Sequence, residues 1–179
     1  MKLAVCGFGR SGKDTVAEWL ADNTPLRYTH STSKQAAEIV YADIVASHER
    51  AGGQPPWDNA RQCWLARHEG DNRALWAAII WKYNQPDGVR LYCDMVEGGC
   101  DILTGIRKKA ELDACRQHGL IDLAIWVDRP GCHESKASNE ITPGDCDLTI
   151  SNHGALDELH AKLGRVVSHS LDTTAVVSH

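Results

Sequence analysis

The chain alternates short apolar runs with stretches whose apolar residues recur three or four apart, the two periods that separate buried strands from amphipathic helices. Residues 1–6 open with a strand-like run, and residues 13–23 read as a helix with Val16, Ala17, Trp19 and Leu20 on one side. Arg27 to His30 reads as a weak second strand. Ser33 to His48 is predicted helical, with Ala37, Val40, Tyr41, Ile44 and Val45 in helical register. Glycine and proline punctuation makes 51–57 a loop. Helices are expected near 58–69, 72–84 and 88–98, then a strand over 101–105 and a helix over 108–118 that Gly119 stops. Strands at 121–127 and 147–150 and a closing helix at 155–163 complete the pattern. The last fifteen or so residues are weakly periodic and are expected to fray. Strands alternating with helices predict an α/β fold: a parallel sheet of about five strands with right-handed crossovers, flanked by helices.

The junction of the first strand and first helix carries chemistry. Gly7-Phe8-Gly9-Arg10-Ser11-Gly12-Lys13-Asp14-Thr15 links an apolar run to a helix start, with Gly7 and Gly12 five apart and Lys13 next. That is the P-loop spacing, in which backbone N–H groups and a helix N-terminus cradle phosphate. Gly7, Gly9, Ser11, Gly12, Lys13, Asp14 and Thr15 are the candidate nucleotide-binding residues. Lys13 would supply a compact charge to the β- and γ-phosphates. Asp14 stands where a Ser or Thr usually holds Mg²⁺, and Thr15 follows, so both are candidates beside the metal. The competing explanation is a tight strand–helix turn that binds nothing.

At 179 residues the chain fits one domain spanning 1–179, long enough to bury a core unaided. A formal charge of -5 argues against a dedicated nucleic-acid binder. No apolar stretch approaches the roughly 20 residues of a membrane span, and no leader sequence is expected. Seven cysteines without a CxxC pair speak against a disulfide framework and for a reducing, cytoplasmic setting. Cys132, His133, Cys146 and His153 are close in sequence, but their spacing fits no common zinc motif.

Several P-loop enzyme classes share this strand–loop–helix start, and other residues select among them. The chain has no Asn-Lys-x-Asp base-reading motif and no apolar run ending in Asp-Glu, which disfavours GTPases and hydrolytic ATPases. It has cations at strand ends and in the intervening helices instead. Arg10 lies in the loop, Lys34 opens the second helix, and Arg73 and Arg90 lie in the helical stretch. Arg107 and Arg129 follow predicted strands directly, at the ends that line the ligand crevice of an open α/β sheet. Lys13, Arg10, Arg107 and Arg129 are therefore candidate catalytic residues, suited to the charge of a migrating phosphoryl group.

Arg10-Ser11-Gly12-Lys13-Asp14-Thr15 resembles the "RSGKDT" P-loop of phage-type deoxynucleoside monophosphate kinases, within the adenylate-kinase-like superfamily. Thr32 to Ala37 is similar to that family's second-helix opening, with Ser33 where the family usually has Leu. Thr104-Gly105-Ile106-Arg107 with Glu111 resembles its strand end. Asp147 to Gly154, followed by Leu156 and Leu159, resembles its closing segment. The likeness covers about 1–45 and 100–163. It implies a three-layer P-loop kinase fold, ATP and Mg²⁺ as cofactors, and transfer to a deoxynucleoside monophosphate. It also implies a helical acceptor-side insertion at about 49–98 and a short lid-like segment at about 129–146, where Arg129 and Lys136 are the cations. Lys34, Arg73, Arg90, Trp57 and Trp64 are the candidate acceptor-binding residues. Packing is the commoner role for such tryptophans.

Two other functions stay open. Related phage kinases phosphorylate the hydroxymethyl group of modified pyrimidines such as 5-hydroxymethyluracil in DNA. DNA would then be the partner, Trp57 and Trp64 could stack a flipped base, and Asp94, Asp101 or Asp128 would be needed as general base. The third reading is a nucleotide-binding module without turnover. A small-molecule acceptor is the expected partner, no membrane is expected, and a homodimer is left open.

Overall fold

A computed structural model describes residues 1–133 and 139–174, and Lys136 lies outside them. In chain order the elements are β1 (Leu3–Cys6), α1 (Lys13–Asn23), α2 (Thr32–Arg50), α3 (Ala60–Leu65), α4 (Asn72–Tyr83), α5 (Arg90–Glu97), β2 (Ile102–Thr104), α6 (Lys109–Gln117), β3 (Leu123–Asp128), β4 (Leu148–Ser151) and α7 (Leu156–Thr174). The chain divides into two compact units: Met1–Tyr28 together with the chain from Cys100 onward, and Thr29–Gly99.

The first unit is built on one parallel sheet in the order β2-β1-β3-β4. Leu3 pairs with Ile102 on one side and Leu123 on the other, and Ile125 pairs with Leu148. Strand side chains alternate between faces. Leu3, Val5, Ile102, Ile125, Val127 and Ile150 point to a core completed by Val16, Ala17 and Leu20 of α1 and Leu159 and Leu163 of α7. Ala4, Cys6, Leu103, Ala124 and Trp126 alternate with them, and are buried as well. In the chain α6 joins β2 to β3. Near-complete burial of β1, β2 and β3 on both faces explains why they read as continuous apolar runs, whereas β4 buries only Ile150.

Among the described residues this sheet has four strands. Residues 27–30, expected as a fifth, are irregular. The Arg27 N–H is taken by the Asp101 carboxylate at 2.9 Å, and the Arg27 carbonyl accepts from both Asp101 and Ile102 at 2.7 and 3.2 Å. A side chain in the ladder's place breaks the pairing before a strand can form.

The second unit is wholly helical. Ala36, Ala37, Val40 and Ile44 of α2 share a core with Ala60, Cys63, Trp76, Ile79 and Leu91. Asn59 caps α3 by accepting from the Gln62 N–H at 3.0 Å. Because α2 buries its apolar face against α3, α4 and α5, the helical unit begins at Thr29, twenty residues before the insertion inferred at 49.

Candidate phosphate-binding site

Strand order places the topological switch point between β1 and β3, since β2 lies on one side of β1 and β3 and β4 on the other. Ligands of open α/β sheets bind at the strand carboxyl ends at such a point. The loop after β1 and Arg129 after β3 both stand there.

The loop conformation depends on its glycines. Gly7 has φ 144 and Gly12 φ 96, in the region side chains avoid. A Cβ on Gly7 would lie 2.6 Å from Ser11 Oγ and 2.7 Å from the Val127 carbonyl oxygen, and one on Gly12 would lie 2.6 Å from Asn152 Nδ2. Gly12 is the N-cap of α1, so no N-cap side chain hydrogen-bonds into the first turn. Ser11 is fully buried, and its hydroxyl has no hydrogen-bond partner among the described residues. An orphaned buried hydroxyl beside an uncapped helix N-terminus is the environment that phosphate oxygens satisfy.

Lys13 Nζ donates to the Phe8 carbonyl at 2.7 Å, which folds its ammonium back over the loop. The Ser11 N–H donates to the same carbonyl at 3.2 Å, closing a turn in which Arg10 has φ 65. A non-glycine residue there costs on the order of 1–3 kcal/mol, and such strain clusters at functional sites. Arg129 spans the switch point to donate to the Arg10 carbonyl at 3.4 Å. Arg107 follows β2, and its carbonyl accepts the Glu140 N–H at 2.8 Å. Thus Lys13, Arg10 and Arg129 meet at one loop, and Arg107 stands at the same end of the neighbouring strand.

Four residues outside the candidate set complete the loop's surroundings. Asn152, after β4, donates to the Ser11 carbonyl at 2.9 Å, and buried Asn139 donates to the Gly7 carbonyl at 3.4 Å. Tyr28 donates to Asp14 Oδ1 at 2.9 Å and lies 3.1 Å from Thr104 Oγ1, which itself donates to Asp14 Oδ1 at 3.2 Å. Burial first, and then the Asp14 charge, push the Tyr28 phenol well above its ordinary range. Of these residues Asn152 and Thr104 had a sequence signal, in the closing segment and the strand end; Tyr28 and Asn139 had none.

Segment 139–147 is clamped by α6 and its N-terminal approach. Lys108 pairs with Glu140 at 2.7 Å, Lys109 pairs with Asp145, and Arg116 pairs with Asp147 at 3.0 Å. The Lys109 contact and the Thr142 hydroxyl and amide pull Asp145 down to about 2. Interaction with the Cys146 thiol and burial raise Cys6, the residue preceding the loop, while interaction with Cys6 lowers Cys146. His153 lies on the Asp128 carboxylate at 2.6 Å, and His133 lies beside the Phe8 ring. No cluster of three metal-ligating side chains occurs among the described residues.

In the helical unit, Arg90 lines a cavity of about 590 Å³ with Glu38, Ile39, Asp43, Lys82 and Tyr83, and stacks on the Tyr83 ring at 4.6 Å. Lys34, Arg73, Trp57 and Trp64 do not line it. Trp57 and Trp64 are half-buried against the unit's core; Trp64 donates to Ser33 at 3.4 Å and carries Arg67 over its ring at 4.2 Å. No helix among the described residues is long and apolar enough to cross a membrane.

No protein-family profile matches the sequence, and no curated protein matches it. Among solved structures the chain is similar to an unliganded sugar kinase of Janibacter sp. HTCC2649. The TM-score is 0.46 and the identity 19%, over 99% of this chain and 98% of that one.

Proposed function

We propose that this chain is a P-loop kinase that transfers the γ-phosphoryl group of ATP to a deoxynucleoside monophosphate. The observation that carries the reading is the loop itself: two positive-φ glycines that no Cβ can replace, a buried unpartnered Ser11 hydroxyl, and an uncapped α1 N-terminus followed by Lys13. These groups fit a polyphosphate. Backbone N–H groups of 9–15 hold the donor's phosphates, and the Lys13 ammonium leaves the Phe8 carbonyl for the β- and γ-oxygens. Arg10, Arg107 and Arg129 neutralise charge on the migrating group, so catalysis is positioning and electrostatics. Mg²⁺, when bound, supplies further neutralisation of the phosphate oxygens, and Asp14 and Thr15 are the residues that would stand beside it.

The choice of acceptor rests on the resemblance of residues 10–15 to deoxynucleoside monophosphate kinases. An ionised phosphate acceptor needs no general base, whereas a hydroxyl acceptor would need one of Asp94, Asp101 or Asp128. We assign acceptor contacts in the helical unit to Lys34, Arg73 and Arg90, with Trp57 or Trp64 against the base.

Incubation with γ-labelled ATP and Mg²⁺, offering each deoxynucleoside monophosphate and hydroxymethyluracil-containing DNA separately, tests the reading. Labelled deoxynucleoside diphosphate is expected. Label in DNA alone would move the activity to the hydroxyl acceptor, and no transfer to any acceptor would refute a kinase.

A further inference from the structure

P-loop enzymes hold their divalent cation between a hydroxyl and a carboxylate. The hydroxyl is the Ser or Thr after the loop lysine, and the carboxylate stands on another strand. In this chain the residue after Lys13 is Asp14, and the last residue of β2, the strand beside β1, is Thr104. The two side chains touch: Thr104 Oγ1 donates to Asp14 Oδ1 at 3.2 Å. Thr104 is buried, whereas Asp14 is exposed at the helix start. Tyr28 joins them, donating to the same Asp14 oxygen at 2.9 Å while standing 3.1 Å from the Thr104 hydroxyl.

We infer that the hydroxyl and the carboxylate have exchanged places in this protein. Asp14 carries the charge from the helix, Thr104 supplies the hydroxyl from the strand end, and Tyr28 is a positioning residue for both. Two donors occupy Oδ1, which fixes the carboxylate plane and leaves Oδ2 as the oxygen for a cation. An electrostatic argument points the same way. A carboxylate in the first turn of α1 competes with phosphate for the same positive helix end. Without a cation between them it repels the nucleotide; with one, it becomes a ligand. The exchange thus makes nucleotide binding depend on the divalent ion more strongly than a loop bearing Ser at this position would. The inference rests on the nucleotide-binding reading above, and its test separates the two.

The test is a reciprocal substitution read by metal binding rather than by turnover. Mn²⁺ affinity is measured by electron paramagnetic resonance with a non-hydrolysable ATP analogue, in the wild type, Asp14→Ser, Thr104→Asp and the double variant. Analogue binding is followed separately by calorimetry, with and without the ion. Asp14→Ser should weaken Mn²⁺ binding at least about tenfold, while analogue binding without metal becomes tighter. Thr104→Asp alone sets two carboxylates together and should destabilise the fold. The double variant should recover most of the lost Mn²⁺ affinity, because the pair is restored in the usual order. A double variant as weak as Asp14→Ser overturns the exchange, as does an Asp14→Ser variant with wild-type Mn²⁺ affinity. Tyr28→Phe, which keeps the ring's packing, should weaken Mn²⁺ binding in the wild-type background and leave metal-free analogue binding unchanged. If the double variant does not fold, that result and Asp14→Ser decide: unchanged Mn²⁺ affinity in either refutes the proposal. If the analogue fails to bind the wild type under any condition, the nucleotide-binding reading falls first and takes the exchange with it.

Discussion

The Asn152 amide donates to the Ser11 carbonyl at 2.9 Å, joining the end of β4 to the loop after β1 across 141 residues of sequence. The same nitrogen would lie 2.6 Å from a Cβ at Gly12. Asn152 therefore fixes the Ser11–Gly12 peptide from which α1 starts. Asn152→Ala removes one hydrogen bond, worth about 1 kcal/mol. ATP affinity is expected to fall about fivefold with the acceptor KM unchanged, as steady-state kinetics would show.

Lys13→Ala should abolish transfer and spare the fold. The half-buried side chain makes a hydrogen bond to Phe8 and lies outside the hydrophobic core, so its loss opens no cavity there. A fall in kcat of at least about 10²–10³ is expected, with a melting temperature close to that of the wild type. Retained turnover would remove the kinase reading.

Arg10 is the one non-glycine residue with positive φ among the described residues. Arg10→Gly should raise the melting temperature by relieving that strain, worth on the order of 1 kcal/mol. It should lower kcat at the same time, because the guanidinium goes with the strain. A gain in stability without any loss of rate would make Arg10 a bystander.

Arg107→Lys keeps the charge and loses the planar fork. The expected result is a kcat lower by about 10²-fold with the ATP KM little changed. If only the melting temperature falls, Arg107 serves structure through its segment's tie to Glu140.

Asp145 is held at about 2, below its ordinary 3.8, first by Lys109 and then by Thr142. Its ionised form is the one the fold prefers. The contribution is full above about pH 4 and is lost as pH falls toward about 2. Asp145→Asn should cost about 1 kcal/mol at neutral pH and show a shallower loss of stability between pH 4 and 2. Urea midpoints at several pH values would measure both.

Local pattern made the core of this fold legible. The apolar run ending at Cys6 and the helix over 13–23 form as read, because strand, glycine loop and apolar stripe are all short-range signals. Two features of the fold escaped for non-local reasons. Residues 27–30 look like a strand until the Asp101 carboxylate, more than seventy residues away, takes the Arg27 N–H. The closing helix runs to Thr174, beyond the expected 163, because Val166 and Val167 pack on the core. At the site, the glycine loop between strand and helix was legible from its spacing. Tyr28 and Asn139 were not, since their contacts with Asp14, Thr104 and Gly7 are made only when the strand ends meet. Tryptophan content alone could not tell the core residue Trp76 from the half-buried Trp57 and Trp64.

The measurement that bears most directly on the central claim is a calorimetric titration of the protein with ATP and Mg²⁺, repeated with inorganic tripolyphosphate as competitor. A cradle of backbone N–H groups, Ser11 and Lys13 reads phosphate more than base. One ATP should therefore bind per chain, displaced by tripolyphosphate, and Lys13→Ala should weaken both ligands together. Absence of ATP binding, or binding that tripolyphosphate cannot displace and Lys13→Ala does not weaken, would contradict the assignment of residues 7–15 as a phosphate site.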